Sequence, residues 1–87
     1  SYILAMIARQ LRHVVLAREI LERGFGEREV GQRLQIASQF VMKKTVHQAR
    51  MHSRRGLAKM YEELLEADLA VKLGRVDEDQ ALQQLVR

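Results

Sequence analysis

The sequence predicts an all-α domain, a compact bundle of about five helices. Apolar residues recur at spacings of three and four along most of the chain, which is the periodicity of an amphipathic helix. The 87 residues include no proline and 5 glycines, too few for the many tight turns of an all-β fold. We expect a single domain over residues 1–87. Because the chain opens on Ser1 and shows no signal-peptide pattern, we expect a fragment of a longer cytosolic protein.

The first predicted helix runs from Ile3 to Arg23 and ends at Gly24, which suits a left-handed C-terminal position. Arg18 interrupts its apolar stripe. The stripe consists of Leu4, Ile7, Leu11, Val14, Val15 and Leu21. Four further apolar residues lie off this stripe: Ile3, Met6, Leu16 and Ile20. The helix is therefore apolar over more of its surface than so small a domain needs. We expect these four residues to meet a neighbouring subunit. The alternative is that the helix lies at the centre of its own domain and buries them there.

Four shorter segments complete the bundle. The second helix begins at Glu27, and a turn over 35–37 follows it. Ser38 can cap the third helix. The apolar residues of the third helix are Phe40, Val41, Val46 and Ala49. Ser53 can cap a fourth, which runs to about Leu73. Its apolar positions are Leu57, Met60, Tyr61, Leu64, Leu65, Leu69 and Val71. Asp77 and Gln80 resemble a capping box that starts the last helix, whose core side is Ala81, Leu82, Leu85 and Val86.

The charge is distributed unevenly along the chain, with a formal net value of +4. Five bases and no acids lie in the middle: Lys43, Lys44, Arg50, Arg54 and Arg55. Seven acids follow between Glu62 and Asp79, which suits a partner of mixed charge. An alternative reading takes residues 27–50 as a helix-turn-helix that binds DNA through the basic stretch. The turn lacks the common glycine, and Gln39 is the main side chain near the start of its second helix for reading base edges.

No catalytic motif is recognisable. A chain without cysteine offers no thiol nucleophile and no cysteine-based zinc site. None of the glycines is followed by lysine, so no phosphate-binding loop is predicted, and His47 and His52 lack the spacing of a zinc-binding pair. We therefore predict no catalytic residues, no metal and no cofactor for this chain. No apolar run is long enough to cross a bilayer.

One local group of residues has a distinct structural role. Asp68 and Lys72 are four apart with the acid first, the favourable orientation for an ion pair on a helix. Gly74 and Arg75 follow directly. Taken by itself, this spacing predicts a surface ion pair that contributes a few tenths of a kcal/mol.

Six segments, taken in order along the chain, carry a resemblance to a known family: residues 3–12, 21–24, 40–44, 48–50, 65–77 and 81–86. They resemble the C-terminal helical domain of the bacterial DNA polymerase III delta subunit. The resemblance extends over nearly the whole chain. The most telling segment is LEADLAVKLGRVD at 65–77. Two features depart from the family pattern. Ser38-Gln39 replace a frequent proline before the aromatic Phe40, and the fourth helix opens on Arg54-Arg55-Gly56 where the family usually has acids.

The resemblance implies a place in the clamp loader, the assembly that loads the sliding clamp onto primed DNA during replication in the bacterial cytoplasm. Delta subunits of such loaders have two N-terminal modules shaped like an AAA+ ATPase, which grip the clamp, and a C-terminal collar domain. The collar packs beside the collars of the gamma/tau and delta-prime subunits. Delta does not hydrolyse ATP, and polymerase chemistry belongs to another subunit. The resemblance also implies that Asp68, Lys72, Gly74 and Arg75 fix the end of the fourth helix and so the placement of the last one. Delta would contact the clamp only through its N-terminal part. A weak contact between the collar domain and DNA is compatible with this assignment.

Overall fold

A computed structural model describes residues 2–86, which fold into five helices with no strand among them. The helices are α1 (Tyr2–Glu22), α2 (Glu27–Arg33), α3 (Gln39–Met51), α4 (Arg54–Lys72) and α5 (Glu78–Leu85). The predicted all-α bundle is confirmed. None of these helices is long and apolar enough to span a membrane.

The ends of the helices follow the local sequence. Ser38 and Ser53 accept hydrogen bonds from the backbone N–H groups of Val41 and Gly56, and so cap α3 and α4. Asp77 and Gln80 form the expected capping box at the start of α5, with the Gln80 N–H donating to Asp77 Oδ1 at 2.8 Å. These contacts satisfy donors that a helix start leaves unpaired.

Three helices end in the same motif, in which one residue takes a left-handed conformation. Gly24 (φ 94°) ends α1 and Gly74 (φ 75°) ends α4, while Gln35 (φ 56°) holds the corresponding position after α2. After α2 the N–H of Ile36 donates to the carbonyl of Gly31 at 2.9 Å, which closes the motif. A side chain at a left-handed position is strained, so Gln35 is the costly member of the three.

The helix α1 is the axis of the bundle. It packs against α2, α3 and α4, while α5 packs on α4 and α2 on α3. The core lies between these helices. It consists of Leu4, Leu11, Val14, Ala17, Ile20, Val30, Met42, Val46, Ala49, Leu57, Leu64 and Ala81. Thr45 is also buried, and its hydroxyl donates to the carbonyl of Val41 at 2.8 Å, so its polar group is satisfied.

The structure corrects the sequence-based assignment of several apolar residues. Ile20 is buried (7% exposed) and belongs to the core, whereas Ile7 is exposed. Ile20 lies about 160° around the helix axis from Leu4, so the buried side at the end of α1 is not the buried side at its beginning. Phe40 is 75% exposed and Val86 84%, so neither is a core residue. Met42 and Thr45 occupy the buried side of α3 instead.

Candidate functional site: an apolar groove and its surroundings

An apolar groove of about 440 Å³ lies where α1, α4 and α5 converge. Leucine, isoleucine, valine and methionine side chains form its walls, and four polar residues border it. The apolar wall is Ile7, Leu11, Val14, Leu57, Met60, Leu64, Leu82, Leu85 and Val86, and the polar residues are Gln10, Gln48, His52 and Glu63. A concave apolar surface with few polar groups is suited to receiving an apolar side chain or helix face.

The groove continues onto the exposed beginning of α1. Ile3 lies one turn before Ile7, and residues four apart share one side of a helix. Ile3, Met6 and Ile7 are each more than 40% exposed. Tyr2 is exposed as well. The first two turns of α1 therefore present an apolar surface that this bundle leaves uncovered.

The four residues expected at a subunit interface are not brought together. Ile3 and Met6 lie on the exposed start of α1, beside the groove. Leu16 is exposed but lies about 140° around the axis from Ile3, on another side of the helix. Ile20 is buried and has no surface to offer a partner. Only Ile3 and Met6 remain as candidates for one continuous surface.

A second apolar surface on α4 was missed by sequence reasoning. Leu65, Leu69 and Leu73 are spaced four apart and are each about half exposed. The core residues of this helix, Leu57 and Leu64, are seven apart and form a different line. Leu65 lies about 100° around the axis from Leu64. The sequence spacing alone could therefore have assigned the exposed leucines and the buried ones to two different sides of the helix.

Arg18 holds together the region where α1, α3 and α4 meet. Its guanidinium donates to the backbone carbonyls of Ala49 and His52 at the C-terminal end of α3. Its Nε also pairs with Glu22 Oε2 at 3.0 Å. Glu22 in turn bonds Arg54 in the first turn of α4. The hydrogen bond from Arg54, with that from Arg18 second, holds the pKa of the Glu22 carboxyl below its usual value.

The basic residues proposed for DNA contact divide into two groups. Lys43, Lys44 and Arg50 lie exposed on α3, with Arg50 3.9 Å from Glu27 of α2. Arg54 is engaged by Glu22, while Arg55 is exposed in the first turn of α4. The structure therefore makes α3, and not the α3–α4 junction, the principal free basic surface.

The residues at the end of α4 form a compact unit. Lys72 Nζ and Asp68 Oδ2 are 2.9 Å apart. Gly74 takes the left-handed position, and the N–H of Arg75 donates to the carbonyl of Ala70 at 2.9 Å. Since the ion pair is largely exposed, it contributes only a few tenths of a kcal/mol.

The histidines give no sign of a catalytic or metal site. His13 and His52 are half-buried and His47 is exposed. Across residues 2–86, no three histidine or carboxylate side chains lie close enough to hold a metal ion. His52 borders the groove, and its carbonyl is the acceptor for Arg18.

The family described as "DNA polymerase III delta subunit, C-terminal domain" matches residues 1–87, the whole chain. The chain belongs to this family. No curated protein and no solved structure gives a significant match. The delta C-terminal domain thus combines a five-helix bundle with an uncovered apolar groove and a separate basic face.

Proposed function

We propose that this chain is the collar domain of a clamp-loader delta subunit and acts by holding subunits together. Family membership supports the delta assignment. The groove between α1, α4 and α5, extended by Ile3 and Met6, is the observation that supports assembly, because it exposes apolar surface that a partner would cover. The expected partners are the gamma/tau and delta-prime subunits. The chain would be the C-terminal part of delta, working in the bacterial cytoplasm, and would have no catalytic role of its own.

The partner surface is centred on Ile7. Its side chain lies in the groove wall and is still 41% exposed, so it is available to a neighbouring helix. Apolar residues at the centre of an interface, surrounded by polar groups that exclude water, carry most of the binding free energy. Gln10 and Gln48 provide such a polar border and are joined by a hydrogen bond of 3.2 Å.

Size-exclusion chromatography of the delta subunit with gamma/tau and delta-prime tests this function. Ile7→Glu would place a charge in the groove. We expect the affinity between the subunits to fall by about tenfold or more, so that co-migration is lost at lower dilution. Leu16→Glu is the matched control, because Leu16 is exposed on another side of α1 and does not line the groove. Unchanged assembly with Ile7→Glu, or no assembly of the unaltered subunit, would refute the proposal.

The alternative, a helix-turn-helix that reads duplex DNA, is less well supported by the geometry. Residues 34–38, five in number, separate α2 from α3. The exposed side chains at the beginning of α3 are Gln39, Phe40 and Val41. Of these, only Gln39 can form paired hydrogen bonds with a base edge in the major groove. The observation in favour of nucleic-acid binding is the free basic face of α3. It suggests a mode of binding other than reading base edges in the major groove.

A further inference from the structure

The solvent side of α3 combines exposed rings with positive charge. Phe40 is 75% exposed at one end, and His47 is exposed seven residues later. Seven residues are nearly two full turns, so the two rings lie on one line, about 10 Å apart along the axis. Lys43 and Lys44 lie between the rings, one on each side of that line.

The charge of this face is not neutralised within the domain. No aspartate or glutamate occurs from residue 30 to residue 61. Among residues 2–86, no carboxylate lies within ion-pair distance of Lys43 or Lys44. Arg50, near the other end of α3, lies 3.9 Å from Glu27 of α2. The two lysines are therefore available to an external polyanion.

We propose that this face of α3 binds single-stranded nucleic acid with little sequence preference. Bases stack on Phe40 and His47, and the phosphates between them contact Lys43 and Lys44. Stacked nucleotides rise about 3.4 Å each along a strand, so the distance between the rings corresponds to about three nucleotides. Aromatic platforms beside a basic track are the usual means of holding a single strand.

The rings favour a single strand over the other polyanions. A duplex keeps its base faces stacked inside, so it would leave the Phe40 ring in water. An acidic protein helix would neutralise Lys43 and Lys44 but would make no use of two rings in line. A single strand alone presents flat apolar faces and phosphates in alternation, which matches the order of side chains along α3.

This inference does not depend on the assembly function. Phe40, Lys43, Lys44 and His47 lie outside the groove, which α3 borders only through Gln48 and the following His52. The variant Ile7→Glu, which disrupts the groove, should leave nucleic-acid binding unchanged. Failure of one proposal can therefore be distinguished from failure of the other.

Fluorescence anisotropy of the 87-residue chain with a labelled oligothymidine of about 12 nucleotides tests the inference. We expect Phe40→Leu, which keeps apolar bulk but removes the ring, to weaken binding about fivefold or more. Lys43→Gln with Lys44→Gln should reduce the slope of log affinity against log salt by about 1.4. Lys59→Gln, a change at an exposed lysine of α4, is the control and should alter the affinity little. Circular dichroism establishes that each variant keeps its helices.

Five results would overturn the inference, and the first four concern the ligands and the Phe40 ring. They are absence of binding at low salt, tighter binding of a duplex of equal length, equal binding of polyglutamate, and an unchanged affinity in Phe40→Leu. The last would leave only phosphate attraction. A loss with Lys59→Gln as large as that with the α3 lysines would assign the attraction to the overall charge of the domain.

Discussion

The guanidinium of Arg18 donates a hydrogen bond of 3.1 Å to the backbone carbonyl of Ala49. The two residues are 31 positions apart in the chain, and the bond joins α1 to the last turn of α3. The final carbonyls of a helix lack partners within it and carry the negative end of its dipole. Arg18, which interrupts the apolar stripe of α1, therefore completes α3 and fixes the crossing of the two helices.

Arg18→Ala should destabilise the domain by about 1.5–3 kcal/mol, because hydrogen bonds from a charged donor to Ala49 and His52 are lost and the carbonyls lose their partner. Urea denaturation followed by circular dichroism measures this. Arg12→Ala, at an exposed arginine of the same helix, is the control and should change stability by less than about 0.5 kcal/mol. Equal effects of the two substitutions would contradict the role assigned to Arg18.

Acid should destabilise the junction of α1 and α4 through Glu22. Its pKa is lowered in the folded state, mainly by the hydrogen bond from Arg54. A lowered carboxyl pKa stabilises the fold above the pKa of the unfolded chain, and that stabilisation disappears as the pH falls through the folded pKa. As the pH falls, the decrease in the free energy of unfolding that is due to Glu22 should begin near pH 4.5. This part of the decrease should be absent in Glu22→Gln. Denaturation curves between neutral and acidic pH compare the two proteins, and parallel pH profiles would contradict this prediction.

Gln35→Gly should stabilise the domain by about 1 kcal/mol. Gln35 has φ 56°, which costs about 1–2 kcal/mol for a residue with a Cβ, whereas glycine adopts it freely. Gln32→Gly is the matched control, since Gln32 lies inside α2 and glycine there should cost about 1 kcal/mol. Thermal unfolding measures both. A shift in the same direction for both variants would argue against the left-handed conformation at Gln35.

Leu57→Ala should cost about 2–5 kcal/mol, because Leu57 is 1% exposed and its removal leaves a cavity. Leu65→Ala, on the exposed surface of the same helix, should cost less than about 1 kcal/mol. The contrast is measurable by chemical denaturation. Comparable losses at the two positions would contradict the burial of Leu57 and the exposure of Leu65.

Asp77→Ala should remove the capping box and destabilise α5 by about 0.5–2 kcal/mol. Because α5 supplies Leu82 and Leu85 to the groove, this change should also weaken subunit assembly. Hydrogen exchange of the α5 amides reports the local effect, and chromatography reports the assembly. Asp79→Ala is the control, as Asp79 is exposed and takes no part in the capping box. If the α5 amides exchange quickly in Asp77→Ala but the subunits still assemble fully, the groove is not the binding surface.

The local sequence determined where each helix begins and ends. Ser38, Ser53 and Asp77 cap helices at the positions that their side chains predict, and Gly24 ends α1 at the predicted left-handed position. Gly74, for which the sequence predicts only a break in the fourth helix, is left-handed as well. These features depend on residues within one or two turns, so the sequence contains all the information needed. The all-α class follows from the same local pattern.

Tertiary packing decided which apolar residues are buried. Along α1 the packed side turns from Leu4 to Ile20, and α1 packs against three other helices, so no single stripe in the sequence describes which of its residues are buried. The same packing left Phe40 in solvent and gave Arg18 its carbonyl partners. Burial depends on which helices meet, and those contacts join residues tens of positions apart in the chain.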